Sequence, residues 1–316
     1  MRNLYLSQQE ANQQFEQRYL NSVSTPSGDS NAASTTPCLP DMAPPDPQTE
    51  LLSIVMPVWT GGEITAKALQ AIIDHTKRPL EIIIIDNGSD ATAKAAIDNF
   101  LSLHTGIARV IHNETNRGYP VACNQGLQAS QGSYLVVMNN DVLVTPCWAS
   151  RMMAAFTLDA GIGAVGPRTN FVSSNQLVRI CHYTEANLNE WAGLWHAAYA
   201  GTLRITTRLI GFLMMIRRDL LDQIGGFDPV FGPGNCEDDD YCLRARLAGY
   251  RLLIADDVFV HHYGSQSFNK DPEAYSQLLK KNLGVFAAKW GIDLRCLPEH
   301  VISLDRCLHH LRIPLA

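Results

Sequence analysis

Four consecutive isoleucines, Ile82, Ile83, Ile84 and Ile85, run directly into Asp86-Asn87-Gly88-Ser89, and no other stretch constrains the fold as tightly. A strand with one wet face alternates apolar and polar residues. A strand that is apolar at every position must be covered on both faces, as in a sheet sandwiched between helices. Residues 134–138 form another such run and residues 51–58 one broken by Ser53, and residues 108–112 read as a shorter strand. After the first run Ile64, Ala68, Leu69, Ile72 and Ile73 recur at helical spacing, and Pro120 opens a helix that closes near Gly132. This alternation predicts an α/β chain with a mostly parallel central sheet and helices on both faces.

Ligands on such sheets bind beyond the carboxyl ends of the strands. Three of those ends carry acids or amides: Asp86-Asn87, the Asn116-Arg117-Gly118 turn, and Asn139-Asn140-Asp141. There is no GxGxxG after the first strand and no GxxxxGK[ST] anywhere, so neither a glycine loop nor a P-loop lysine can cradle phosphates. A divalent cation held by a carboxylate, Mn²⁺ or Mg²⁺, is the simplest other way to meet a diphosphate's charge. Asp141, at the end of a buried strand, is placed to hold it; the alternative is a cap on the helix that follows Pro146. Asp86 can accept from a base or ribose, the alternative being an Asx-turn in its Asn-Gly-Ser loop.

The 316 residues carry a net charge of −6 with no basic run, which argues against a nucleic-acid partner. Eight cysteines are scattered without a CxxC pair or a Cys/His cluster at zinc spacing, and Cys123, Cys147 and Cys242 sit in apolar or helical patterns. That usage reads as a reducing, cytoplasmic compartment, free or peripheral at the inner face of a membrane. Residues 1–20 are Gln- and Glu-rich, with no apolar core of a signal peptide, and no run reaches the roughly 18 residues that span a bilayer. Residues 21–50 are dense in Ser, Thr, Pro, Ala and Asp and read as a flexible linker, with residues 1–20 a polar helix or docking segment.

Taken in order, Ile54 to Val58, Glu81 to Ser89, Asn116 to Tyr119 with Asn124-Gln125-Gly126, and Asn139-Asn140-Asp141 resemble the GT-A fold glycosyltransferases of family 2. The resemblance continues through Gly211 to Arg217, Ile224 to Asp228, Glu237 to Asp240, Arg244, Gly249-Tyr250 and His261 to Ser265. It implies a GT-A domain over residues 51–316, with a nucleotide-binding half (51–145), an acceptor and catalytic half (146–268) and a C-terminal helical closure (269–316). The implied activity is inverting transfer of a sugar from a UDP-, dTDP- or GDP-sugar donor to an acceptor hydroxyl on a glycan, a lipid-linked glycan or a protein.

Residue by residue, the resemblance puts Asp86 on the nucleobase and Pro57 and Val58 in the same pocket. Asn87, Asn116, Gly118, Asn124, Asn139 and Asn140 join the donor site. Asp141 and His262 hold the metal, and Asp238, with Glu237 before it, is the general base. Asn139 stands where the family's metal motif usually has an acid. That variant resembles enzymes using deoxysugar donors such as dTDP-rhamnose. The four acids Glu237 to Asp240 also read as a solvated first helical turn favoured by the macrodipole, which accounts for Asp239 and Asp240. Tyr183, Trp191, Trp195 and Tyr199 read as packing in preference to an acceptor platform. A member that keeps the fold without activity, or a nucleotidyltransferase, are the competing readings. Retention of Asp141, Asp238 and His262 argues against the first, and the absence of basic residues in Trp59-Thr60-Gly61-Gly62 argues against the second.

Overall fold

The computed structural model describes residues 50–179, 182–264 and 272–291. The expected linker and polar segment, residues 1–49, and the end of the expected closure, residues 292–316, lie outside the described residues. The first half alternates without exception: β1 (Leu52–Val58), α1 (Gly62–His75), β2 (Leu80–Asn87), α2 (Ala91–Leu103), β3 (Ala108–Asn113), α3 (Tyr119–Ala129) and β4 (Tyr134–Met138). These four strands are parallel, in the spatial order β3-β2-β1-β4.

The isoleucine run does what its composition requires. Ile82 and Ile84 join Leu52, Ile54 and Met56 in the core under α1 and α2, whereas Ile83 and Ile85 join Val55 in a second core under α3. Burying each such side chain contributes roughly 1.5–3 kcal/mol. The register aligns Val58, Asp86 and His112 side by side at the carboxyl ends. Helix α2, which the periodicity does not announce, starts at Asp90, whose side chain accepts from the Ala93 amide at 2.9 Å.

The second half adds β5 (Val142–Leu143), α4 (Trp148–Thr157), β6 (Ile162–Thr169), α5 (Leu188–Ala198), β7 (Leu203–Thr206), β8 (Leu213–Arg217), α6 (Arg218–Ile224), α7 (Glu237–Leu247), β9 (Arg251–His262) and α8 (Pro272–Trp290). Here the sheet becomes mixed: β8 runs antiparallel to β4 and to β6, while β6 and β9 are parallel. Between β6 and β9 the register slips, so that Asp256, Asp257 and Val258 have no partner on β6. Beyond the slip, β9 pairs antiparallel with β5 and sets His262 opposite Val142, the residue after Asp141.

Three sequence expectations change. Asp240 is not on a solvated turn: it is fully buried, paired with an equally buried Arg244 at 2.8 Å, and it accepts from Trp290 Nε1 at 2.9 Å. A buried carboxylate needs such partners, and α8 supplies one from fifty residues away. Cys147 is disulfide-bonded, not a reduced thiol, so the cysteine pattern does not argue for a reducing compartment; Cys123, Cys236 and Cys242 are free and buried. Asp141 does not cap α4, whose first turn follows Cys147. The aromatic segment packs as expected, with Trp191 stacked on Trp195, Trp195 on Tyr199, and Phe259 against both tryptophans. No helix among the described residues is long and apolar enough to cross a membrane.

Candidate active site

Two clusters form along the carboxyl ends of the first-half strands. At the β2 end the Asp86 carboxylate accepts from the Ser89 amide through Oδ1 at 2.8 Å, which is the expected turn, and its Oδ2 lies 2.9 Å from His112 Nδ1. Burial alone would raise this carboxyl; the bonds from His112 and Ser89 outweigh it and hold Asp86 below its ordinary value. A cleft of about 380 Å³ opens beside it, lined by Asp86, Lys94, His112 and Asn113 among others, with neither Asp141 nor Asp238 in its wall. His112 has no signal in the sequence, because its register beside Asp86 exists only in the folded sheet.

The amides around Asp86 are committed to the protein itself. Asn87 donates to Asn116 Oδ1 at 2.9 Å and accepts from the Arg117 amide at 3.0 Å, while Asn116 Oδ1 also accepts from the Gly118 amide. Asn124 is buried and bonds both polar atoms of the Phe227 backbone, at 2.7 and 2.8 Å. Asn140 donates to Thr60 O and Thr65 Oγ1, tying down the loop after β1. Val58 faces the core, and its carbonyl accepts from Ser89 Oγ at 2.8 Å. Pro57 is buried in β1. Expected as donor contacts, Asn87, Asn116, Asn124 and Asn140 shape the turns that frame the site.

The second cluster lies where β4, β9 and the segment before β8 meet. His262 Nδ1 lies 2.8 Å from the Phe171 carbonyl, and His262 Nε2 lies 3.2 Å from Asp141 Oδ1. A carbonyl accepts only, so Nδ1 carries the hydrogen and Nε2, with a lone pair whenever it bears no proton, is turned toward the carboxylate. Both Nε2 and Oδ1 are buried without a hydrogen-bond partner. Two lone pairs at that separation need a proton or a cation between them. Cis ligands of an octahedral Mg²⁺, with bonds of about 2.1 Å, stand about 3 Å apart, so the pair fits such an ion. No group of three or more His, Cys, Asp or Glu side chains suited to a metal occurs among the described residues. Asn170 brackets the backbone of His262 with two hydrogen bonds, and Phe212 stacks on its ring at 5.2 Å. His261 points to the other face and meets Tyr183 Oη at 2.7 Å.

Residues 211 and 212 join this pair to the acids of α7. The Phe212 carbonyl accepts from the Asn139 amide at 2.9 Å, and the Gly211 amide donates to Asp238 Oδ2 at 2.9 Å. Tyr119 Oη donates to the Gly211 carbonyl at 2.8 Å. Asp238 is buried beside Asp239, and burial and that like charge push its carboxyl up to about 6. Burial and the Asp238 charge push Glu237 well above the usual carboxylate range, and its Oε2 has no hydrogen-bond partner. Asp239 is turned outward and ion-paired with Arg208. Of the expected residues, Asp141, His262, Asn139 and Asp238 are therefore brought together through Gly211 and Phe212, and Asp86 stands two strands away, at the end of β2 across β1.

This mixed sheet, whose four parallel first-half strands end in a cleft beside Asp86 and in the acids beyond β4, is that of the GT-A glycosyltransferases. The family model "Glycosyl transferase family 2" matches residues 53–225, more than half of the chain, which belongs to that family and is a glycosyltransferase. Glycosyltransferase AglE of Haloferax volcanii is 25% identical over 250 residues, 77% of this chain and 75% of that protein. The N-acetylglucosaminyl-diphospho-decaprenol L-rhamnosyltransferase of Mycobacterium tuberculosis is 25% identical over 278 residues, 78% of this chain and 89% of that protein. In structure, a mannosyltransferase from Pyrobaculum calidifontis in complex with GDP-Man and Mn²⁺ matches with a TM-score of 0.54 at 17% identity, covering 96% of this chain and 76% of that one.

Proposed function

We propose that the chain is an inverting, divalent-metal-assisted glycosyltransferase in which Asp238 is the general base. The observation that carries the reading is the bond from the Gly211 amide to Asp238, one residue from the ring that stacks on His262. A base raised to about 6 is ionised at neutral pH and still basic enough to take a proton. As the acceptor oxygen attacks the anomeric carbon, its proton passes to the Asp238 carboxylate. The new C–O bond forms on the face opposite the nucleoside diphosphate, which leaves with the electron pair of the broken bond. One displacement inverts the anomeric configuration.

Asp141 and His262 would hold Mn²⁺ or Mg²⁺, which when bound stabilises the charge of the departing diphosphate as a Lewis acid. Asp86, with His112 beside it, would accept from the base or ribose of a UDP-, dTDP- or GDP-sugar. Asn139 would meet the ribose or the sugar hydroxyls. The Asn139-Asn140-Asp141 variant favours a deoxysugar donor, and the relative named N-acetylglucosaminyl-diphospho-decaprenol L-rhamnosyltransferase favours the same donor class with a lipid-linked glycan acceptor. A panel of UDP-, dTDP- and GDP-sugars in Mn²⁺, with product NMR, tests the reading. Turnover of one donor with inverted anomeric configuration is expected, and retained configuration would overturn it.

A further inference from the structure

The loop that delivers Glu237 and Asp238 is held in a conformation that its own residues disfavour. Gly232, Gly234, Asn235 and Cys236 all have positive φ, and for Asn235 and Cys236, at 74° and 72°, a side chain opposes it. Such backbone persists only where surrounding groups impose it. Helix α8 imposes it here. The buried Asn282 directs its Nδ2 at three carbonyls of this loop, Phe231 at 2.8 Å, Gly234 at 2.7 Å and Asn235 at 3.0 Å. Two turns earlier on the same face, Tyr275 Oη donates to Asn235 Oδ1 at 3.3 Å.

We propose that Asn282 is a positioning residue for glycosyl transfer: through the carbonyls of residues 231–235 it fixes the one loop shape that places Glu237 and Asp238 against Gly211. The proposal rests on the reading of Asp238 as the base. The two hydrogens of Nδ2 are shared among these carbonyls, and among the described residues only Phe231 O has a second donor, the Gly234 amide at 3.3 Å; losing the Asn282 amide leaves the Gly234 and Asn235 carbonyls to find other donors, and the left-handed run can then relax. The far end of α8 is docked by Lys289 to Asp228 at 2.6 Å and to Asp240 at 2.7 Å, side-chain contacts that include none of the three carbonyls.

The test compares full-length Asn282→Ala, Lys289→Met and Asp238→Asn, each measured for kcat, donor KM, melting temperature and the pH profile of kcat. The donor is whichever nucleotide-sugar the wild type turns over. For Asn282→Ala we expect kcat to fall on the order of tenfold, donor KM to stay within about twofold, and the acidic limb of kcat to move down as Asp238 becomes better solvated. Lys289→Met should melt earlier and lose clearly less kcat than Asn282→Ala. Wild-type kcat in folded Asn282→Ala would overturn the proposal, as would an equal loss in Lys289→Met, which would mean general loosening of α8. Should Asn282→Ala not fold, Tyr275→Phe decides. A kcat lowered about two- to threefold with unchanged melting supports the proposal, and unchanged kcat overturns it. Near-normal transfer by Asp238→Asn would instead sink the reading of the base, whatever Asn282 does.

Discussion

His262 Nε2 and Asp141 Oδ1 face each other at 3.2 Å, both buried and both without a hydrogen bond. Histidine is fixed in this attitude from behind, by the Phe171 carbonyl at Nδ1 and by Asn170 at its backbone. The pair is completed by a proton or by a cation between its two atoms, and removal of metal distinguishes the two. With a cation there, EDTA is expected to abolish transfer and Mn²⁺ or Mg²⁺ to restore it. Asp141→Ala should lose at least about 10²-fold in kcat with no rescue by added metal. His262→Gln should weaken Mn²⁺ binding on calorimetric titration in the presence of nucleoside diphosphate. Full turnover by metal-free protein would refute this assignment.

A second prediction concerns pH. Asp238 must be ionised to accept the acceptor's proton, so kcat should fall on the acid side with an apparent pKa near 6. Asp239→Asn removes the like charge that helps raise Asp238 and should shift that limb downward. Because the folded value lies above the ordinary 3.8, the contribution of this group to stability is complete below about pH 3.8 and lost as pH rises through about 6. Asp238→Asn should lower transfer by roughly 10²-fold or more while nucleotide binding persists. Glu237→Gln should be milder. Rate measurements from pH 5 to 8 on the three variants decide.

Much of this site could be read before folding, and the boundary is physical. Ile82 to Ile85 announced a doubly covered strand, and the family resemblance, more than any local pattern, set Asp141 beside His262. Other features depend on contacts that no local pattern encodes. Helix α2 buries only Ala93, Ile97 and Phe100, a stripe too sparse to stand out. Strand β9 carries two acids in mid-strand, Asp256 and Asp257, which break the apolar run; they are held by Arg168 and Arg204 and by Arg151. The bonds of Asn124 to the Phe227 backbone, 103 positions away, have no signal in the local sequence. Asp240 looked solvated because Trp290 lies 50 positions away.

A third prediction addresses the N-terminal segment. Residues 21–50 hold too little apolar surface to offset their ordering entropy, and β1 begins only at Leu52. A chain beginning at Glu50 should express, melt cooperatively and keep the kcat of the full chain. A midpoint lowered by many degrees would make that segment part of the core.

The last prediction tests the turn that joins the two clusters. Gly118 has φ 85° and precedes α3, and a Cβ added there would come within 2.2 Å of the Gly232 carbonyl. Backbone cannot yield as a side-chain tip would, so Gly118→Ala combines a disfavoured dihedral with a collision against the loop that leads to Glu237 and Asp238. The Tyr119 amide donates to the Pro233 carbonyl at 3.2 Å, and Tyr119 Oη holds Gly211, so a displaced turn moves the partner of Asp238 as well. We expect a loss of stability on the order of 2–3 kcal/mol, read from urea unfolding. Of the protein that remains folded, transfer should fall more than nucleotide binding, because Asp86 is held by Ser89 and His112 and not by this turn. If Gly118→Ala instead abolished nucleotide binding while sparing kcat at saturating donor, the turn would belong to the donor pocket and not to the support of the base.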